Sequence, residues 1–224
     1  MHTLDNWNLL LPDQPTADVV KEYVWMGASN NDVPLVQSVL SYAKHNNYVI
    51  DLTHAVHLSC VYNHMEMLSI LEQYHPLTPH YVMTGLYSAS SGCQSGVLKH
   101  LLNKANAWGH DFYQHVNVNE LMQVVCVPGS GCEDRQVLEC IKIFEPLFDH
   151  PEYSKNVISL ATFNYPIAAG YLLKYSQQDV LEQFIKDVEQ TAPRQAQHIK
   201  DVLLREKLTQ AVSETSSVRT HKKI

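Results

Sequence analysis

Residues 54–71 read HAVHLSCVYNHMEMLSIL, and the rest of the chain repeats the pattern of this stretch imperfectly. A first helical run leads into Asn63, after which Met67, Leu68 and Leu71 recur at positions i, i+1 and i+4. Asparagine is, after glycine, the residue that most readily adopts the left-handed backbone of a tight turn. The stretch therefore predicts an amphipathic helix, a turn at Asn63 and a second amphipathic helix.

The apolar anchor at the end of this second helix recurs along the chain at intervals of 32, 30, 40 and 31 residues. A pair of small or apolar residues lies upstream of each anchor, and small residues there allow two helices to pack closely. The anchors are Val39, Leu71, Leu101, Ile141 and Leu172, and the upstream pairs are Gly27-Ala28, Ser59-Cys60, Ala89-Ser90, Val125-Cys126 and Leu160-Ala161. These intervals predict five helix-turn-helix units that bury their apolar faces against one another.

The run His57-Leu58-Ser59-Cys60, followed by the turn at Asn63-His64, resembles the core of an ankyrin repeat, in which a histidine, a leucine and two small residues precede a Gly-His turn. The first unit is similar to the family as well, with Asn31-Asp32 at its turn and Pro34 in the first turn of its second helix, where a missing amide proton costs little. Units three to five keep the apolar spacing without the histidine, so a different α-helical solenoid stays open. The resemblance implies an all-α, ankyrin-like helical-repeat solenoid of about five units.

The resemblance covers residues 16–176, and the remaining segments have their own patterns. Residues 1–15 are apolar and punctuated by proline, which predicts an N-terminal cap or arm. Two apolar stripes separated by Pro193 predict C-terminal capping helices within residues 177–212, because repeat arrays need terminal units with a polar outer face. Residues 213–224 are polar and lack periodicity, which predicts a disordered tail.

The composition bounds the function. The chain of 224 residues is 45% apolar and 17% charged, as in ordinary folded proteins. Its formal net charge of −7 argues against general binding to nucleic-acid backbones, which requires clustered Lys and Arg. The apolar run at residues 9–11 ends at Pro12 and is too short for a membrane span or a signal-peptide core. The five cysteines lack the spacing of a disulfide framework, so reduced thiols and a cytoplasmic location are expected.

Three residues of the opening stretch have the chemistry of metal ligands. His57, Cys60 and His64 stand at positions i, i+3 and i+7, which would align zinc ligands along one continuous helix. The turn predicted at Asn63 breaks that helix, and the resemblance instead gives the two histidines hydrogen bonds to backbone groups between repeats. We therefore expect neither a metal ion nor another cofactor.

The best candidate nucleophile is Cys132, because residues 129–131, Gly-Ser-Gly, could form a loop that exposes its thiol. Glu133 and Asp134 follow it, and their negative charges would raise the pKa of the thiol. We expect no catalytic residue, and a cysteine-dependent enzyme with Cys132 in an inserted loop is the alternative.

The resemblance implies a monomeric, non-enzymatic protein that binds another protein through a concave face of first helices and connecting segments. In such families the binding positions lie just before the first helix and just before the turn between the helices. On this sequence they are Thr53, Val61, Tyr62, His80, Tyr81, Met83, Ser91, Gly92, Thr162 and Phe163. Tyrosine and phenylalanine at these positions are expected to act as anchors.

The degenerate repeats, the composition rich in Asn, His and Tyr, and the polar tail also resemble ankyrin-containing effectors that intracellular bacteria deliver into host cells by type IV secretion. This resemblance implies a location in the host cytosol and a partner that is a host protein or another effector. An inhibitor or scaffold whose acidic surface docks on a basic partner is a further alternative.

Overall fold

The computed structural model of the chain describes residues 15–108, 116–127, 131–147, 155–174 and 178–220. Within these ranges the protein is all-α, as the sequence predicts, and contains no β-strand. The helices are α1 (Ala17–Asn30), α2 (Val33–His45), α3 (Thr53–Val61), α4 (Met65–Tyr74), α5 (Pro79–Ser91), α6 (Ser95–Asn106), α7 (Val118–Cys126), α8 (Asp134–Phe144), α9 (Lys155–Asn164), α10 (Pro166–Lys174), α11 (Gln178–Thr191) and α12 (Pro193–Thr220). None of these described helices has the length and apolar character needed to cross a membrane.

The first two helices begin at residues whose side chains cap them. Thr16 accepts a hydrogen bond from the amide of Val19 in the first turn of α1, with the amide nitrogen 3.4 Å from Oγ1. Asp32 does the same for α2, where its Oδ1 lies 3.1 Å from the amide nitrogen of Leu35. These side chains satisfy amides that have no partner inside the helix. Pro34 occupies the first turn of α2, as predicted.

The turns inside the first three helix pairs share one geometry. Each contains a residue with a positive φ, and the amide of the following residue donates to the carbonyl of a small residue near the end of the first helix. The positive φ values are 55° at Asn31, 61° at Asn63 and 51° at Cys93; the amide-to-carbonyl bonds, each 2.8 Å long, run from Asp32 to Gly27, from His64 to Ser59 and from Gln94 to Ala89. This closure is a Schellman-type helix end. The turn predicted at Asn63 is confirmed.

The chain divides into two compact units, Met1–Asn117 and Val118–Ile224. In the first unit the pairs are α1 with α2, α3 with α4 and α5 with α6. The first helices of these pairs contact one another in series, α1 on α3 and α3 on α5, and α2 contacts α4. The predicted anchors Val39, Leu71 and Leu101 are fully buried.

The small residues permit this close packing. A Cβ added to Gly27 would lie 2.5 Å from Cγ2 of Val36, so α1 and α2 approach as closely as they do because no side chain intervenes. At Gly85 an added Cβ would lie 2.7 Å from Cδ1 of Leu101 and 3.1 Å from Sγ of Cys60. The prediction that small residues lie where two helices meet is confirmed for Gly27 and for Cys60, which meets Gly85; Gly85 itself was not among the predicted residues.

The second unit repeats the pairing with α7 on α8, α9 on α10 and α11 on α12. The predicted anchors Ile141 and Leu172 are again fully buried. The carboxylate of Asp134 accepts the amides of Ile167, at 2.7 Å, and Ala168, at 2.9 Å, and so caps α10 from the preceding pair.

The ends of the chain depart from the sequence expectation in one respect. The tail predicted to be disordered begins at Ser213, whereas α12 continues to Thr220. No glycine or proline follows Pro193, so the sequence contains no residue that would stop the helix earlier. Residues 1–14, which make up nearly all of the predicted cap or arm, and residues 221–224 lie outside the described ranges.

Two glycines test the packing of the first unit. A Cβ added to Gly92 would lie 2.3 Å from the carbonyl oxygen of Val61, a backbone atom that cannot rotate away, so Gly92→Ala should lower the free energy of unfolding by about 1–3 kcal/mol. Gly96 lies in α6 with nothing within 4 Å of an added Cβ, so Gly96→Ala should raise it by about 0.5 kcal/mol. Urea unfolding monitored by circular dichroism measures both changes. Equal effects of the two substitutions would contradict the close contact at Gly92.

Candidate functional site

A row of side chains crosses the first helices of the first unit. The ammonium of Lys21 lies 4.9 Å from the ring centroid of Trp25, and the Trp25 ring meets the His54 ring edge-on at 4.8 Å. The His54 ring is stacked on that of His57, with centroids 5.8 Å apart. Nδ1 of His57 then lies 2.7 Å from the hydroxyl of Ser88. These five residues, the ring row, connect α1, α3 and α5 through polar and aromatic contacts.

His57 is the most constrained member of the ring row. The hydroxyl of Ser88 donates to the carbonyl of Thr84, at 2.6 Å, and its oxygen therefore accepts a hydrogen bond from Nδ1–H of His57. Burial, and then the nearby charge of His54, lower the pKa of His57 below its ordinary value. His57 is accordingly a neutral imidazole at neutral pH.

The residues with zinc-ligand chemistry have other partners. Nδ1 of His64 donates to the carbonyl of Ala28, at 3.1 Å, which is the bond between pairs that the resemblance implied. His57 was expected to reach a backbone group and instead bonds the side chain of Ser88, because the hydroxyl rather than a carbonyl faces its ring. Cys60 is buried, and burial raises the pKa of its thiol to about 12. The described residues contain no group of His, Cys, Asp and Glu arranged to hold a metal ion.

The predicted binding positions divide by exposure. Tyr62 is 58% exposed, and its ring lies 5.8 Å from that of His64. His80 and Ser91 are also exposed, whereas Thr53, Val61, Tyr81, Met83 and Gly92 are half-buried. Thr162 and Phe163 belong to α9, and their side chains lie outside the described part of the structure. Tyr62 is therefore the predicted anchor that is most accessible to a partner.

Several of these positions also hold the helix pairs together. The carbonyl of Val61 accepts a hydrogen bond from Nε2 of Gln94, at 3.2 Å, and Gly92 packs against that same carbonyl. The amide and the hydroxyl of Thr53 both donate to Oδ1 of Asp51, at 3.0 Å and 2.6 Å. Val61, Gly92 and Thr53 thus have structural partners of their own, which the sequence pattern did not distinguish from binding positions.

A cleft of about 660 Å³ opens beside Tyr81, where the connections before α3 and α5 meet the ends of α2 and α4. Two further tyrosines, Tyr48 and Tyr74, line it together with Val49, which is 95% exposed. The cleft is lined by Lys44, Asn47, Tyr48, Val49, Ile50, Asp51, Tyr74, His75 and Tyr81. A preformed concave site with aromatic walls is typical of ligand and side-chain binding.

Sequence reasoning identified Tyr81 and missed Tyr48 and Tyr74. One signal was available: Tyr42 and Tyr74 stand at the same distance after the turn residues Asn31 and Asn63. The Tyr42 ring contacts that of Tyr48 edge-on, with centroids 6.2 Å apart. A tyrosine thus recurs in the last turn of the second helix in the first two helix pairs.

Glu72 is a second feature that the sequence pattern did not reveal. Its carboxylate, on α4, lies 2.5 Å from Nε2 of His100 and 2.8 Å from Nζ of Lys104, both on α6. Burial alone would raise the pKa of Glu72, but the hydrogen bonds from His100 and Lys104 outweigh burial and lower it. The group ties the second helices of neighbouring pairs together.

Cys132, the candidate nucleophile, is half-buried and precedes α8. The acidic residues that follow it are engaged in helix capping: Glu133 forms a capping box with Gln136, and Asp134 caps α10. The role of Cys132 in catalysis stays a hypothesis from the sequence.

Comparison of the chain with protein families, with characterised proteins and with solved structures finds no match.

The burial of His57 predicts a pH dependence of stability. Its pKa is lower in the folded protein than in the unfolded chain, so the unfolded chain binds more protons and the free energy of unfolding falls as the pH drops below about 6.5. His57→Gln keeps a hydrogen-bond donor for Ser88 and should reduce this fall between pH 7 and pH 5. Urea unfolding of both proteins at a series of pH values measures how much the free energy of unfolding falls.

The matched control for this prediction is His198→Gln, since His198 is exposed within α12 and lies beyond the first turn of that helix. The control should leave the pH dependence nearly unchanged. If the two variants lose the same amount of pH dependence, His57 does not carry the effect.

Proposed function

We propose that the chain is an ankyrin-like helical-repeat protein that binds a partner protein through the first unit and catalyses no reaction. The observation that carries the proposal is the turn geometry shared at Asn31, Asn63 and Cys93, with its identical amide-to-carbonyl bond. Repetition of one turn at intervals of 32 and 30 residues supports a stack of equivalent helix pairs, each contacting its neighbours.

The surface chemistry supports protein binding as the function of such a stack. Met26 on α1 is 43% exposed, Tyr62 follows α3 and is exposed, and Val49 projects from the connection before α3. Large apolar and aromatic side chains that remain accessible are typical anchors of protein interfaces. These side chains are exposed and not part of the buried contacts between the helices, so they can bind a partner without disturbing the helix pairs.

The partner class follows from the resemblance to delivered effectors, and we propose a host protein or another effector. The same proposal assigns residues 213–224 to a secretion signal. Among the side chains of α12 that the structure describes, the fully buried ones are Ala196 and Ile199, near the start of the helix.

Removal of residues 213–224 should abolish delivery into host cells and leave the unfolding transition within about 0.5 kcal/mol of that of the full chain. A translocation reporter fused to the amino terminus measures delivery, and circular dichroism measures the transition. Delivery at the full-length level would refute the assignment of the signal to this segment.

A partner protein can be captured from a cell lysate with the full chain as bait. Tyr62→Ala should weaken the complex with this captured partner about tenfold or more, because a central aromatic anchor contributes more than about 1.4 kcal/mol to the free energy of binding. Calorimetry with the purified partner measures the dissociation constant. Leu204→Ala is the matched control, since Leu204 on α12 is exposed to the same degree, 57% against 58%. Equal affinity of the Tyr62→Ala variant and the unmodified chain would show that this face is not the interface.

A further inference from the structure

We propose that the tyrosine-lined cleft of the first unit binds the guanidinium group of an arginine side chain that the partner protein inserts. The inference rests on the proposed protein-binding function and specifies the chemistry of one contact. The cleft is defined by Tyr48, Tyr74 and Tyr81 together with Asp51 and His75.

The three tyrosines are fixed before any ligand arrives. The hydroxyl of Tyr48 donates to the carbonyl of Pro15, at 2.9 Å, and that of Tyr74 donates to the carbonyl of Tyr48, at 3.1 Å. The hydroxyl oxygen of Tyr81 accepts the amide of Leu52, at 3.4 Å. Each ring is therefore tied to the backbone of another segment, and little side-chain entropy remains to be lost on binding.

The polar groups at the cleft have mostly used their donors within the protein and retain acceptors. Nδ1 of His75 donates to the carbonyl of Pro76, at 2.9 Å, so in the tautomer that carries its proton on Nδ1 the Nε2 atom is an acceptor. The hydroxyl proton of Tyr74 is likewise committed to a carbonyl. A guanidinium group carries five N–H donors and no acceptor, so it complements this set.

The electrostatics favour a cation in the same way. Hydrogen bonds from the hydroxyl and amide of Thr53 lower the pKa of Asp51, which keeps this carboxylate ionised, and both bonds use Oδ1 so that Oδ2 remains available. The helices α2 and α4 end at the cleft and α3 and α5 begin beside it, so the partial charges of their ends oppose one another, and the carboxylate of Asp51 is the group that favours a cation.

The charge of the first unit agrees with this assignment. Residues 1–117 contain nine Asp and Glu against four Lys and no Arg. The opposing group at the cleft is Lys44, an exposed residue in the last turn of α2. The ammonium of Lys44 would attract an anionic ligand and repel a cationic one. Removing this charge should therefore weaken the binding of an anion and strengthen the binding of a cation.

The test uses the full chain and three blocked tripeptides, acetyl-Gly-X-Gly-amide, in which X is arginine, glutamate or leucine. Amide chemical shifts measured by NMR report binding at Asn47 and Val49. The arginine peptide should shift these signals in a saturable way, and the glutamate and leucine peptides should bind at least several-fold more weakly. Equal or tighter binding of the glutamate or leucine peptide, or no response to the arginine peptide, would overturn the proposal.

Two variants with opposite expected effects complete the experiment. Lys44→Gln should tighten binding of the arginine peptide, and Asp51→Asn should weaken it, each by about two- to fivefold, the range of a solvent-exposed charge interaction. Asn keeps an oxygen that can accept the bonds from Thr53, so the start of α3 is preserved. A weaker complex with the Lys44→Gln variant would also overturn the proposal.

The experiment separates this inference from the proposed function. The peptides bind or fail to bind without any partner protein, whereas the interface at Tyr62 is measured with the captured partner. Arginine binding at the cleft together with unchanged partner affinity in the Tyr62→Ala variant would refute the interface at Tyr62 and leave the cleft assignment standing.

Discussion

The amide of Asp32, His64 or Gln94 closes each turn of the first unit by donating to the carbonyl of a residue five positions earlier. This one backbone bond requires a left-handed residue just before the donor, and it fixes where the second helix leaves the first. The acceptors Gly27, Ser59 and Ala89 are small and buried, and at Gly27 an added Cβ would lie 2.5 Å from Cγ2 of Val36 on the second helix. Larger side chains there would separate the helices and expose the apolar anchors.

Sequence periodicity predicts these pairs well because each depends on local interactions. An amphipathic helix, a turn residue and a capping group all act within a few residues of one another, and Thr16, Pro34 and Asn63 have the roles that their positions indicate. Cys93 is harder to predict, since cysteine has no particular tendency towards the left-handed region. The amide-to-carbonyl bond that closes the turn imposes the left-handed conformation on Cys93, whereas Asn31 and Asn63 adopt that conformation more readily.

Contacts between pairs were less predictable, because they depend on which side chains face one another after packing. Glu72 illustrates the point: Leu40 and Leu102 stand at the equivalent distance after their turn residues, so an apolar residue is expected at position 72. The carboxylate is accommodated because His100 and Lys104 on α6 both bond to it, and a partly buried charge requires such partners. The sequence does contain a signal of the contact between α4 and α6, because Glu72 is charged while the equivalent positions of the neighbouring pairs are leucines.

The acidic residues of the first unit differ in whether their carboxylates are available to a cationic ligand. Asp32 caps α2 and Glu72 is bound to α6, so part of the negative charge of the first unit is committed to the fold. Asp18, Glu22 and Glu66 are exposed, and ion pairs at such positions contribute only about 0–1 kcal/mol because solvent screens them. Asp51 is also exposed, but it lies at a cleft beside Tyr48, Tyr74 and Tyr81, whose hydroxyl groups are bonded to the backbone. The proposed arginine contact would therefore depend on the arrangement of groups at the cleft more than on the net charge of the chain.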